Sequence, residues 1–280
     1  MIINIQGNDT YCYTGGKPFD PNLPTAVFIH GGLNDHSVWA LQSRYFAHHG
    51  FGVLALDLPG HGRSLGAPLT TIEEMSDWML ELLSATGVTK VVLIGHSMGS
   101  LIALESASRS YYPVSVRGIA LLATAYPMKV SDELLHTVSN DQATAIAMVN
   151  KWSHGGFVHK PSSPGPGFDV LGCSKRLMER LAQQDRQNPA KLKRASSVFH
   201  SDFTACNIYK NGASAALAIR CPTLFLLGKR DVMTPPRASP ALASVIAHAK
   251  VTLVDSGHAM MAEQPDTVLT HLFEFAKDIT

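Results

Sequence analysis

Six short apolar runs without polar alternation punctuate the chain, at residues 25–29, 51–56, 91–95, 118–123, 221–228 and 250–254. Runs of this kind describe strands covered on both faces, as strands inside a parallel sheet are. Apolar residues at helical spacing lie between and after them, at 37–48, at 70–83, from Met98 onward, at 236–247 and at 265–278. Thr70 or Thr71 caps the second of these helices, since Glu73 and Glu74 follow at capping-box distance. Two β-like runs at 2–6 and 11–13, with Gly7-Asn8-Asp9 between them, predict an opening hairpin. The alternation of buried strands and helices argues an α/β fold with a mostly parallel central sheet flanked by helices.

The rhythm breaks between 126 and 212. Helical segments are predicted at 131–153, 173–184 and 189–199, with a Gly/Pro/Ser stretch at 154–167 and no strand-like run. We read 126–212 as a helical cap inserted over a core formed by 1–125 and 213–280.

Composition narrows the class. The chain has 280 residues, close to where single cores stop growing. Its 23 basic and 22 acidic residues nearly cancel, so nothing draws it electrostatically to nucleic acid or an acidic membrane. The basic residues between 175 and 194 are interleaved with Glu179 and Asp185, which reads as a solvated helix face. Cys12, Cys173, Cys206 and Cys221 lack paired zinc spacing and are too sparse for a disulfide scaffold, so reduced thiols and no metal are expected. The chain opens directly in a strand pattern, with no signal-peptide pattern and no membrane-length apolar run, which reads as cytoplasmic. The sequence leaves self-association open.

The chemistry concentrates at Gly95-His96-Ser97-Met98-Gly99, between the strand 91–95 and the helix that follows. A strand that turns into a helix within a few residues strains its apex and brings the flanking turns close together. Glycine on either side removes the Cβ atoms that would collide, and the apex serine is lifted to a helix N-terminus that favours negative charge. About 0.1 such pentapeptides are expected by chance in a chain this long, so the flanking strand and helix, not the motif alone, carry the reading.

A serine hydroxyl needs a base, and the base needs a group that fixes its tautomer. Groups that act together in an open parallel sheet collect beyond the carboxyl ends of its strands. Lys229-Arg230-Asp231 follows one strand and Asp255-Ser256-Gly257-His258 follows the last. Ser97, Asp231 and His258 thus occur past strand ends in the order nucleophile, acid, base.

Together with His30-Gly31-Gly32, Asp57-x-Pro59-Gly60-His61-Gly62-x-Ser64 and Gly228-x-x-Asp231-x-x-x-Pro235, these motifs resemble the α/β-hydrolase fold family over essentially the whole chain. The resemblance implies that Ser97 attacks a carbonyl, His258 moves the proton and Asp231 orients the imidazole. It implies an oxyanion hole from the backbone N–H groups of Gly32 and Met98, with Leu33 as the less favoured alternative to Gly32. It implies no cofactor.

Other residues take structural readings: His96 and His30 as supports, Asp57, His61 and Arg63 as a self-bonded loop, and Asp202 as a cap residue. Asp255 lies too close to His258 in sequence to orient it. The cap histidines His136, His154, His159 and His200 lack metal spacing. Met98, Met128, Met233, Met260 and Met261 are candidates for the pocket wall or for core filling. The low charge of the cap, with Trp152, Phe157 and Phe168, suggests an uncharged, largely apolar acyl group.

The expected activity is hydrolysis of a small to medium carboxylic ester, a small-molecule substrate, with a lactone or thioester as variants. The alternatives are a carbon–carbon bond hydrolase, a cofactor-free haloperoxidase-like enzyme, and a ligand-binding sensor on a hydrolase scaffold. The first is weakened because Leu33-Asn34-Asp35 departs from the Pro-Gly pair of that branch.

Overall fold

The computed structural model describes residues 1–109, 114–155, 169–187 and 196–280. The opening hairpin is β1 (Ile2–Ile5) and β2 (Asn8–Tyr13). Then come β3 (Thr25–Ile29), a single 3-10 turn (His36–Trp39), α1 (Ala40–His48), β4 (Gly52–Leu56) and α2 (Ile72–Ala85). β5 (Lys90–His96), α3 (Met98–Ser108) and β6 (Ser115–Leu122) follow. The break in the rhythm contains α4 (Asp132–Asn140), α5 (Gln142–Trp152), α6 (Val170–Gln187) and α7 (Val198–Ile208), and α8 (Gly212–Ala218) leads back to the sheet. The chain closes with β7 (Thr223–Gly228), α9 (Pro240–Ala243), β8 (Ala249–Val254), α10 (Met260–Glu263) and α11 (Pro265–Ile279).

Among the described residues eight strands form one sheet in the order β1-β2-β4-β3-β5-β6-β7-β8. The first two pairings are antiparallel and the rest parallel, as the buried-run pattern predicts. Every residue of β3, β4 and β7 is buried, which is why these strands read as continuous apolar runs. The two faces carry separate cores, one centred on α2 and α3, the other on Phe28, Trp39, Phe46 and the inner face of α11. Among the described residues no helix is long and apolar enough to cross a membrane.

Three helix expectations change. The predicted helix 131–153 is two helices, because Asp141 leaves helical geometry (φ −144°, ψ 84°) and caps α5 by accepting from Thr144 N at 3.1 Å. The predicted helix 236–247 is a 3-10 turn (Pro236–Ala238) and the short α9, since Pro240 has no N–H to continue a ladder and Ser239 Oγ donates instead to Thr124 O. The capping box before α2 is shifted by one: Thr71 Oγ1 accepts from Glu74 N, but the Glu74 carboxylate reaches back to Thr70 N. The predicted helix 189–199 and the stretch 154–167 lie mostly outside the described residues.

Helices α4 to α7 build an apolar cluster of their own from Leu134, Val138, Ile146, Val149, Met178 and Phe199, and it closes against Leu33. α7 faces both ways. Phe199 and Phe203 join that cluster, while Ala205 and Cys206 belong to the core beneath the sheet.

Candidate active site

The turn from β5 into α3 holds Ser97 at φ 52° and ψ −119°, a backbone conformation that an L-residue adopts only when its surroundings enforce it. They do. A Cβ on Gly95 would overlap the Gly99 carbonyl oxygen, and one on Gly99 would overlap the Ile29 carbonyl oxygen. The Ser97 N–H is anchored on Leu122 O of β6 at 2.9 Å.

Asp231 and His258, 27 residues apart, meet past the ends of β7 and β8. His258 Nδ1 lies 2.8 Å from Asp231 Oδ2, with both side chains buried. A carboxylate only accepts, so Nδ1 carries the hydrogen and the neutral ring keeps its lone pair at Nε2. Asp231 is itself fixed: Oδ1 accepts from Met233 N at 2.8 Å and from Thr234 N at 2.9 Å, and the Thr234 hydroxyl lies 2.7 Å from Oδ2. Burial alone would raise this carboxyl. The facing imidazole and these hydrogen bonds outweigh it and hold the group well below the usual carboxylate range.

His258 is also held from behind. His96 Nε2 donates to the His258 carbonyl at 2.9 Å, so the residue before the elbow positions the backbone of the imidazole. Burial and the neighbouring His258 push His96 down to about 3, which keeps it neutral. The Glu263 carboxylate accepts from Gly257 N at 3.0 Å, tying down the loop that carries His258.

Ser97 and His258 open onto one cavity of about 780 Å³, together with Gly32 and Met98. Among the described residues Ser97 Oγ makes no direct hydrogen bond to the imidazole; in sites without substrate that contact is commonly loose. Gly32 and Leu33 differ in a useful way. The Leu33 N–H is spent on Asp202 Oδ2 at 2.8 Å, whereas the Gly32 N–H has no acceptor among the described residues. Met98 is the first residue of α3, where no carbonyl one turn back can take its N–H.

The other candidates separate cleanly. Asp255 is ion-paired with Arg230 and exposed. His30 donates from Nδ1 to Gly31 O and accepts at Nε2 from Leu58 N, a loop support as expected. Asp57 holds the Arg63 N–H and also the His36 ring, while His61 reaches out of its own loop to Asp202. Met98, Met128, Met233 and Met261 line the cavity; Met260 instead packs in the core beside α11. Trp152 and His154 line it too, while Phe157, Phe168 and His159 lie outside the described residues. Among the described residues the charged side chains on the lining are Lys129, Arg176 and Arg180, all basic, which the low charge of the segment did not foretell.

Asp35, His36 and Asp57 bring potential metal-ligand atoms within 4.8 Å of one another. Each is already engaged, Asp35 by Ser37 and Arg180, and His36 and Asp57 by each other.

Thr234 and Glu263 went unassigned in the sequence, and Asp202 was read only as a structural cap residue. Thr234 had a faint local signal, a hydroxyl three residues after an aspartate, as in a capping turn. Asp202 depends on Leu33 and His61, and Glu263 takes Gly155 N as well as the nearby Gly257 N, so distant partners decide both.

The sequence pattern of the alpha/beta hydrolase fold family matches residues 24–265. The chain is similar to 3-oxoadipate enol-lactonase 1 of Acinetobacter baylyi, with 25% identity over 100% of this chain and 97% of that protein. Its fold is similar to that of a thermophilic esterase from Thermogutta terrifontis (TM-score 0.78, 22% identity, 100% and 99% coverage). It is similar also to that of the enol-lactonase from Burkholderia xenovorans (TM-score 0.77, 21% identity, 99% and 100% coverage).

Proposed function

The chain belongs to the α/β-hydrolase fold family, and on that premise we propose that it is a serine hydrolase that opens carboxylic esters, lactones included, through an acyl-enzyme. One observation carries the reading: a buried Asp231–His258 pair and a serine held at a strained elbow open onto the same cavity.

In this reading the segment 126–212 caps the site. Ser97 Oγ attacks the ester carbonyl as His258 Nε2 takes its proton, and Asp231 stabilises the imidazolium that forms. The carbonyl oxygen becomes an oxyanion that accepts from the Gly32 and Met98 N–H groups. Collapse breaks the bond to the alkoxy oxygen, which leaves with the proton from His258. Water then enters by the same route, giving its proton to His258 and its oxygen to the acyl carbon, and Ser97 is regenerated. In a lactone the alcohol stays tethered to the acyl group, so ring opening yields a single product.

Apolar side chains dominate the cavity wall, but Lys129 has no partner among the described residues and no carboxylate side chain lines the cavity there. The acyl or alcohol group is therefore read as one that tolerates or carries a remote carboxylate. The named substrate of the Acinetobacter relative, an oxoadipate enol-lactone, is of that kind.

The test is labelling by a fluorophosphonate probe together with turnover of short p-nitrophenyl esters and their half-acid counterparts. We expect rapid turnover in the native protein and neither labelling nor turnover in Ser97→Ala. Labelling that persists in Ser97→Ala would overturn the assignment. A single stoichiometric release followed by silence would favour the sensor.

A further inference from the structure

Behind the loop that carries Gly32 lies a buried cluster that the reaction itself does not use. Asp202, on α7, accepts two hydrogen bonds on one oxygen: from Leu33 N at 2.8 Å and from His61 Nε2 at 2.9 Å. Asp202, His61 and Leu33 are all fully buried. The second ring nitrogen of His61 faces the Pro59 carbonyl at 3.1 Å. Both partners of this ring are acceptors, so both nitrogens must carry hydrogen and the ring is an imidazolium facing a carboxylate. His30, whose ring centroid lies 4.9 Å from that of His61, accepts from Leu58 N at one nitrogen and is neutral.

The loop needs such a clamp. Leu33 sits at φ 51°, in the left-handed region that a leucine avoids. Gly31 packs against Ser97 and His96, Asn34 takes the Gly32 carbonyl at 3.0 Å, and Phe203, the next residue of α7, packs against Gly32. The Leu33 N–H is thus engaged, while the Gly32 N–H has no acceptor among the described residues and Gly32 itself lines the cavity.

We propose that Asp202 is a positioning residue for the oxyanion hole: paired with His61, it takes the Leu33 N–H, holds Leu33 in its strained conformation, and so leaves the Gly32 N–H as the second oxyanion donor. The inference rests on the serine-hydrolase reading. It places part of the catalytic preorganisation in the helices between β6 and β7, not in the sheet. Asparagine cannot replace the aspartate, because an amide oxygen that keeps Leu33 N leaves the His61 cation without a counter-charge.

The experiment compares the native protein, Asp202→Asn, Asp202→Ala and Ser97→Ala. It measures kcat per active site, titrated with a fluorophosphonate, KM for a short p-nitrophenyl ester, and affinity for a trifluoromethyl ketone that forms a tetrahedral adduct. Loss of one oxyanion donor typically costs ~10²–10³ in turnover, and a displaced one less, so we expect kcat to fall roughly 10- to 100-fold. KM should stay within about twofold, and ketone affinity should fall in step with kcat/KM, because the lost contact forms only in the tetrahedral state. A purely structural role would lower the titrated fraction and the melting temperature while leaving kcat per site unchanged.

Should both Asp202 variants fail to fold, His61→Gln supplies the test. It keeps a donor to Asp202 but removes the charge, so kcat should drop less steeply with KM held. A kcat per site within twofold of the native value in the folded variants, with Ser97→Ala inert, overturns this inference and spares the hydrolase reading. An active Ser97→Ala sinks both.

Discussion

Asp231→Asn is the substitution whose outcome the geometry fixes most tightly. Two backbone donors, Met233 N and Thr234 N, converge on Oδ1. An asparagine must place its carbonyl oxygen there, since turning the amide would set its NH₂ against both donors in a buried site. Its NH₂ then occupies the Oδ2 position, 2.8 Å from His258 Nδ1. The ring can only accept that hydrogen by moving its own to Nε2. The lone pair that should receive the serine proton is gone, although nothing has changed size. A wrong tautomer of this kind costs about 10⁴ in kcat, roughly 5 kcal/mol of barrier. The assay is stopped-flow acylation by p-nitrophenyl acetate per titrated site, with a thermal melt to show that the variant is folded. A folded variant within tenfold of native activity would refute the reasoning and direct attention to another acid.

Two further outcomes follow from buried charges remote from the serine. Glu105 on α3 is fully buried and binds the Tyr209 hydroxyl at 2.5 Å, Asn211 Nδ2 at 2.9 Å and Arg109. Glu105→Gln removes the ion pair and sets an amide NH₂ among donors, a loss of about 2 kcal/mol and hence roughly 3–4 °C in melting temperature at this chain length; an unchanged melt would refute it. Burial acts to lower the pKa of His61, but the Asp202 charge and hydrogen bond outweigh it and raise the group above its ordinary value of 6.5, with Asp57 adding to the rise and neutral His30 beside it. The stability it contributes is therefore complete below pH 6.5 and lost as pH rises through the raised value. The gap in melting temperature between the native protein and His61→Gln should be widest at acid-to-neutral pH and close on the alkaline side, and a gap that does not vary with pH would refute it.

What could be read from the sequence is what short stretches determine by themselves. The buried runs of β3, β4, β5 and β7 can hardly be anything but inner strands, and the glycines beside Ser97 answer to clashes within one turn. Asp231 and His258 were legible because each directly follows a strand end, so their meeting needed only the sheet. The misread helices failed for local reasons too: Asp141 and Pro240 end them, and the apolar period continues past both. The grips on the site are different. His96 to the His258 carbonyl, Glu263 to Gly155 and Asp202 to Leu33 each join elements whose relative placement no local pattern encodes.

These grips also differ in strength. α6 reaches the core through the Arg180–Asp35 ion pair, whose guanidinium side is half exposed, and α5 ends at Ser153, whose hydroxyl lies 3.1 Å from Met233 Sδ. Contacts of this exposed or weakly polar kind yield at small cost. α7 is held otherwise, by the buried Asp202–His61 pair at one end and by Ala205 and Cys206 in the core at the other, with the Tyr209 hydroxyl on Glu105 just beyond. Displacing it would strand a carboxylate and an imidazolium in an apolar interior, a penalty of several kcal/mol. The other three helices are tied in as well, by Val198 N on Asp185 at 3.0 Å, by Ala259 N on Ser153 O at 2.7 Å and by the apolar cluster they share with α7, but none of these ties buries a charge pair as the Asp202–His61 contact does. The helix that grips the Gly32–Leu33 loop is thus the one whose displacement would cost most, so the conformation of that loop is fixed by the strongest of the contacts between these helices and the core.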